Sequence, residues 1–334
     1  MKIKIILLSL LLLLASTGMA SDFTKLAQTG FQYLSVVSDA RGAAVGGAMT
    51  TIPYGSGSLF FNPAGMAEME ETIDVIASQN SWIAGISHAT LSMAFAPAQK
   101  RFGVFGMTAQ SVNYGEIQGT MVWGNDQGWV ETNKFTPSAI SLGLGYAVQL
   151  SDRFSIGGQA KYAAQQLGYG LVEIHPTNND PDSLGVQKFS TEAIAFDFGT
   201  LFKTGFKGIA FGMNVRNFSN EVSFIKENFQ LPLTFTMGIS MDVMELVPSM
   251  ADGHSLMLSV DAAHPRSYPE YLNLGAEYKL VDMLYLRYGL MTNRDEQSSS
   301  FGVGISRFGL GIDYAYIPFG VLDEVQMITV RFTR

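Results

Sequence analysis

The sequence predicts an all-β protein: a transmembrane antiparallel β-barrel of about 14 strands with a small N-terminal plug or hatch segment. Three observations carry that class. The chain is 47% hydrophobic and only 15% charged, against about 25% charged in ordinary soluble domains, so its surface calls for a solvent other than water. Beyond Ala20 no stretch approaches the roughly 20 consecutive apolar residues of a membrane helix. What recurs instead is period-two alternation, and a closed sheet leaves no strand edge unpaired in hydrocarbon.

Residues 1–20 read as a secretory signal peptide: Lys2 and Lys4, an apolar run from Ile5 to Leu14, and small residues ending in Gly18-Met19-Ala20. The mature chain then begins at Ser21, with a hatch over 21–70 and the barrel over 71–334. Loss of Lys2 and Lys4 takes the formal charge from -8 to -10, which argues against a nucleic acid partner. The absence of cysteine excludes a disulfide framework and a thiolate metal site. Export without cysteine suits a bacterial envelope protein.

The hatch contains "ARGAAVGGAMTTIPYGSGSLFFNPAGMAEME", Ala40 to Glu70. A phosphate loop needs Gly-x-x-x-x-Gly-Lys-Ser/Thr between a strand and a helix, and no lysine follows Gly46 or Gly47. A free tether would not carry Phe23, Leu26, Phe31, Tyr33, Leu34, Val36, Phe60 and Phe61. Small residues that permit close backbone approach, a turn fixed at Pro63 and a permissive Gly65 fit a plug confined in a lumen.

Strands follow. In "SAISLGLGYAVQL", Ile140, Leu142, Leu144, Tyr146, Val148 and Leu150 share one face while Ala139, Ser141, Gly143, Gly145, Ala147 and Gln149 share the other. "LPLTFTMGISM" divides the same way, with Leu231, Leu233, Phe235, Met237, Ile239 and Met241 on the greasy face, and so does "YLNLGAEYKL". The rule places strands near 72–80, 87–96, 102–112, 137–150, 154–167, 189–203, 207–219, 231–243, 254–263, 270–281, 284–292, 298–306, 308–317 and 324–333. Connections alternate: short at Ala98, Ser151, Thr204 and Val281, long from Asn113 and from Gly168 to Lys188. Short periplasmic turns, long outer loops and an even strand count predict an outer-membrane barrel with both termini periplasmic. Tyr114, Trp123, Trp129, Tyr162, Phe218, Phe229, Tyr268, Tyr271 and Phe319 fall near strand ends, where aromatic girdles sit.

Alternation sends Lys161, Asp197, Arg216, Asp242, Asp261, Glu277, Lys279, Arg287 and Asp313 inward. The reading favoured for these mixed signs is an ion-pair network bracing barrel and plug; Lys161, Arg216 and Arg287 are the candidates should a carboxylate bind. No catalytic, cofactor or metal site is legible. His88, His175, His254 and His264 are scattered, with no His-Glu-x-x-His. Ser87 and Ser92 flank His88 without an orienting third group.

"DARGAAVGGAMTT", "FFNPAGMAEME" and the ending "LGIDYAYIPFGVLDEVQMITVRFTR" together resemble the PorV/PorQ family of outer-membrane proteins, itself similar to FadL-like fatty-acid transporters. The resemblance implies a fourteen-stranded barrel in outer-membrane lipid, with an N-terminal segment entering the lumen. Arg41, Gly42, Gly46, Gly47, Asn62, Pro63 and Gly65 become plug or barrel-entry residues. It also implies a non-catalytic role in type IX secretion, through a translocon partner or a cargo with a C-terminal signal domain. The alternative it implies is passage of a hydrophobic ligand. Family members commonly carry a pair of acidic residues between the two motifs, where this chain has "IPYGSGS".

Overall fold

The structure is a computed structural model describing residues 29–173, 184–225, 227–246, 253–294 and 297–334. The expected signal peptide, the start of the hatch and His175 lie outside the described residues. Strands run β1 Ile73–Ser81, β2 Ser87–Phe95, β3 Val104–Asn113, β4 Thr120–Val122, β5 Trp129–Glu131, β6 Ser138–Ser151, β7 Phe154–Glu173, β8 Leu184–Lys203 and β9 Ala210–Ser219. They continue as β10 Val222–Phe224, β11 Glu227–Phe229, β12 Thr234–Asp242, β13 His254–Pro265, β14 Tyr271–Leu280, β15 Leu284–Met291, β16 Ser299–Arg307, β17 Leu310–Pro318 and β18 Glu324–Thr333.

All but β4, β5, β10 and β11 close into one antiparallel barrel in which every strand pairs with its neighbours in sequence and β1 pairs with β18. The four short strands form two separate hairpins, β4 with β5 and β10 with β11. Among the described residues no helix is long and apolar enough to cross a membrane. The antiparallel order puts the connections at Ala98, Ser151, Thr204, Val281 and Phe308, together with the longer one over 243–253, at one end with the C-terminus, and the connections that carry the β4–β5 and β10–β11 hairpins at the other.

The two faces of the wall differ as the alternation requires. On β6 the side chains of Ile140, Leu142, Leu144 and Tyr146 are exposed, Leu144 at 69%, while Ala139, Ser141 and Ala147 are buried. Leu91, Met93, Phe105, Met107, Met237, Leu286, Val303 and Ile328 continue the exposed apolar surface. An apolar outside of this kind is matched by hydrocarbon.

Three expectations are corrected. Residues 168–188 were read as a loop, yet β7 and β8 are 20 residues each and pair to Glu173 and Leu184. At about 3.3 Å per residue they run roughly 65 Å and stand beyond the other strands; glycine and polar residues there masked a continuing ladder. Leu231 was placed on the lipid face, but it precedes β12 and is fully buried against Phe31, Tyr33 and Leu34. Of the girdle aromatics, Phe229 stacks on Phe31 with ring centroids 6.0 Å apart, and Phe319 packs edge-on against Trp82 at 5.1 Å. Both serve internal packing, because the loops that carry them fold back over the mouth.

Candidate functional site

The hatch threads the lumen from the loop end to the turn end. Gly30 donates to the Gln230 carbonyl and Thr29 meets Ser267 at 2.7 Å, both in loops. A 3-10 turn, Gln32–Ser35, packs Tyr33 and Leu34 against inward Val112, Ala139, Ala163 and Ala195. Helix α1, Ala40–Ala44, lies against β15 to β18. Two further 3-10 segments, Gly55–Phe60 and Pro63–Glu68, bring Met66 and Ala67 onto Ala94, Val104 and Ala147, and Glu68 onto Lys203, at the turn end.

Local chemistry explains these turns. Asp39 caps α1, accepting from the Gly42 amide at 2.9 Å. Gly46 and Gly47 then take φ of 66° and 81°, which reverses the chain beside Gly289. Asn62 caps the last segment and Pro63 opens it with a pre-set φ. Gly65 was expected to supply an unusual backbone angle; its φ is ordinary, and what it supplies is space, since a Cβ there would lie 2.8 Å from Ser58 Oγ. Gly42 likewise makes room for the Phe61 ring.

Asn62 binds the hatch to itself and to the wall. Its Nδ2 donates to the Thr50 carbonyl at 2.7 Å and the Thr200 carbonyl at 3.0 Å, and its Oδ1 accepts from the Ala64 amide at 3.1 Å. Asn62→Ala leaves these buried groups unpaired. It is expected to lower stability by about 1–3 kcal/mol, read as a lower unfolding midpoint in detergent, with no shift refuting the role.

The inward charges fall into separate sets. Arg41 grips Glu277 through two bonds, Nη2 to Oε1 at 2.7 Å and Nε to Oε2 at 2.9 Å. Arg287 meets the same carboxylate at 2.5 Å and reaches Asp313 at 2.6 Å. Glu277 and Arg287 face each other in register on β14 and β15, whereas Asp313 lies on β17, beyond β16. Arg287 crosses β16 because Gly304 has no side chain: a Cβ there would lie 2.6 Å from Arg287 Nη1.

The Tyr54 ring lies between Arg41 at 4.8 Å and Arg331 at 5.2 Å, and Arg331 pairs with Asp74 at 2.6 Å. Asp74 also accepts from the Ser56 amide at 2.9 Å. Asp261 accepts from the Thr50 amide at 2.9 Å. On the opposite wall Lys161 pairs with Asp197 at 2.7 Å, and Arg216 donates to the Leu34 carbonyl at 3.1 Å. Asp242 and Lys279 stand apart at the turn-side rim, Asp242 capping the start of β13 through Ser255 and Leu256, and Lys279 pairing with Asp282.

The sequence reading missed Asp39, Asp74, Arg331 and the Glu68–Lys203 pair. Parity would have found two of them: Ile76 and Ser78 on β1, and Met327 and Thr329 on β18, are inward, so Asp74 and Arg331 are too.

The described histidines do not converge. His88 is buried beside Trp82, His254 meets Tyr278 at 2.8 Å, and His264 meets Glu270 at 2.8 Å. No group of three metal-capable side chains occurs among the described residues.

The sequence profile of type IX secretion system membrane protein PorP/SprF matches residues 53–318. The chain belongs to that family. The match covers the hatch from Pro53 and the barrel through β17. It names PorP/SprF where the motifs resembled PorV/PorQ, so what stands is a type IX secretion outer-membrane barrel of FadL-like fold. Among curated proteins none matches the chain in sequence.

The Ralstonia pickettii toluene transporter TbuX superposes with a TM-score of 0.55 at 14% identity, covering 92% of this chain and 99% of that one. The Pseudomonas putida toluene transporter TodX gives 0.55 at 12%, covering 88% and 97%. A Pseudomonas aeruginosa FadL homologue gives 0.53 at 14%, covering 89% and 98%. At these identities the PorP/SprF chain shares a fold with those proteins.

Proposed function

We propose that this protein is a non-catalytic outer-membrane component of type IX secretion that acts by binding a translocon partner or an exported protein carrying a C-terminal signal domain. Membership of the PorP/SprF family carries this reading. The motifs shared with PorV/PorQ proteins support the finer role of holding or shuttling cargo. The packed hatch supports binding over conduction, since Tyr33, Leu34, Ala40, Ala44, Leu59 and Met66 are buried in clusters shared with inward residues of the wall. In this reading the turn end and the C-terminus face the periplasm and the long loops face outward.

A second reading, passage of a hydrophobic small molecule, is supported by the fold shared with TbuX, TodX and the FadL homologue. It requires the hatch to move and uncover an apolar site. Deletion of the gene separates the two. Loss of surface display of proteins with C-terminal signal domains, with uptake of fatty acids and toluene unchanged, is the expected result. Intact display with impaired uptake would replace the first reading by the second.

A further inference from the structure

The enclosed cavity at the hatch seam is lined by Leu34 and Ser38 of the hatch and by Thr108, Ser141, Lys161 and Arg216 of the wall, among others. Its electrostatics are unbalanced. Lys161 and Arg216 bring two positive charges, and Asp197 is the one carboxylate paired with either among the described residues. Among the described residues Arg216 is answered only by the Leu34 carbonyl, and its buried Nε has no acceptor. A guanidinium held partly out of water without a counter-charge is costly.

Hydrogen-bond donors are also left over. Lys161 pairs with Asp197 at 2.7 Å and donates a proton to Asn217 at 2.6 Å, which leaves at least one of its three protons unspent. Thr108 Oγ1 accepts from Gln159 Nε2 at 2.6 Å, so its own proton is unspent. Gln159 Oε1 is buried without a partner. Turning that amide over lets Thr108 donate to the oxygen and frees the NH2 as a further donor.

The backbone is shaped to produce this. Between Phe196 and Phe198 the β8–β9 ladder slips, setting Arg216 and Asn217 opposite Asp197 alone. Asn217 takes φ 59° and donates its amide to Asp197 at 2.7 Å. The bulge thereby ties up the carboxylate and leaves Arg216 facing the cavity.

We propose that this cavity is a binding site for one small inorganic anion of the halide class, held by Lys161 and Arg216 and by the hydroxyls of Thr108 and Ser141. The excess positive charge selects an anion over a water, and the volume, about that of one water, excludes an organic carboxylate with a tail. The anion joins the Leu34 turn to the wall of β3, β6, β7 and β9, so it secures the loop end of the hatch.

The test uses the mature protein in detergent. At fixed ionic strength, replacing gluconate with chloride or bromide is expected to raise the unfolding midpoint saturably, by about 2 °C. Arg216→Gln is expected to abolish that rise, and Arg153→Gln, at the turn end, to keep it. Crystals grown in bromide are expected to show anomalous scattering in the cavity, a readout that stands even if Arg216→Gln fails to fold. A midpoint indifferent to halide, a rise that persists in Arg216→Gln, or bromide crystals without a peak between Lys161 and Arg216 would each overturn the site.

Discussion

Glu277→Gln lowers the stability of the folded protein by about 3–5 kcal/mol, the range for removing one partner of a buried charge pair, and exposes the hatch to protease. The glutamate is shared: Arg41 of the hatch and Arg287 of the wall both bind it, with side chains 15% and 3% exposed. Its neutral analogue leaves two guanidiniums pressed together, with Asp313 and the nearby Asp39 to offset them. Arg41→Met is the milder change, because Glu277 keeps Arg287. The comparison separates latch from ballast: both variants should release the hatch, but only Glu277→Gln should also loosen β14 and β15. Melting curves give the first quantity and backbone hydrogen exchange the second. If Glu277→Gln melts with the wild type, the network does not hold the hatch.

Gly289→Leu opens the lumen. A Cβ at Gly289 would fall on the Gly46 amide nitrogen and 2.6 Å from the Val45 carbonyl carbon, backbone of the hatch that cannot swing aside as a side chain does. The turn after α1 must leave the wall, breaking the 3.1 Å bond from the Gly46 amide to Ser300. Overpacking of this kind costs about 1–3 kcal/mol. Steady conductance in planar bilayers from the variant, with none from the parent protein, is the expected readout. Gly124→Ala, where a Cβ meets nothing within 4 Å, should behave as the parent does. A silent Gly289→Leu that melts normally would remove the hatch from its role as the seal.

The wall was legible because one physical requirement governs every residue in it. Lipid outside and packed residues inside impose period two, so Leu142, Leu144 and Tyr146 announce their face without any partner being known. Ends of strands were harder, since outside the bilayer that contrast disappears; hence β7 and β8 outran their expected limits. The hatch obeys no period. Its place depends on which small residue touches which glycine across the lumen, as Gly46 meets Gly289 and the Asn62–Pro63 turn meets Gly157 and Gly199, and such matches are invisible along a single chain. Charges sit between these cases: parity gave their direction, but the reach of Arg287 over β16 needed three strands in register.

The path of the hatch constrains how the barrel can be assembled. Gly30 is held among the loops at one end while Ile73 begins the first strand at the other, so the leading segment runs through the cylinder like thread through a bead. The seam that joins the two ends of the sheet pairs β1 with β18, and the Asp74–Arg331 pair with the Ser56 amide clasps it from within. A finished cylinder offers no side door for that thread. A sheet that curls around a segment already in position avoids that threading, and the segment that seals the product then serves as the mandrel on which it is wound.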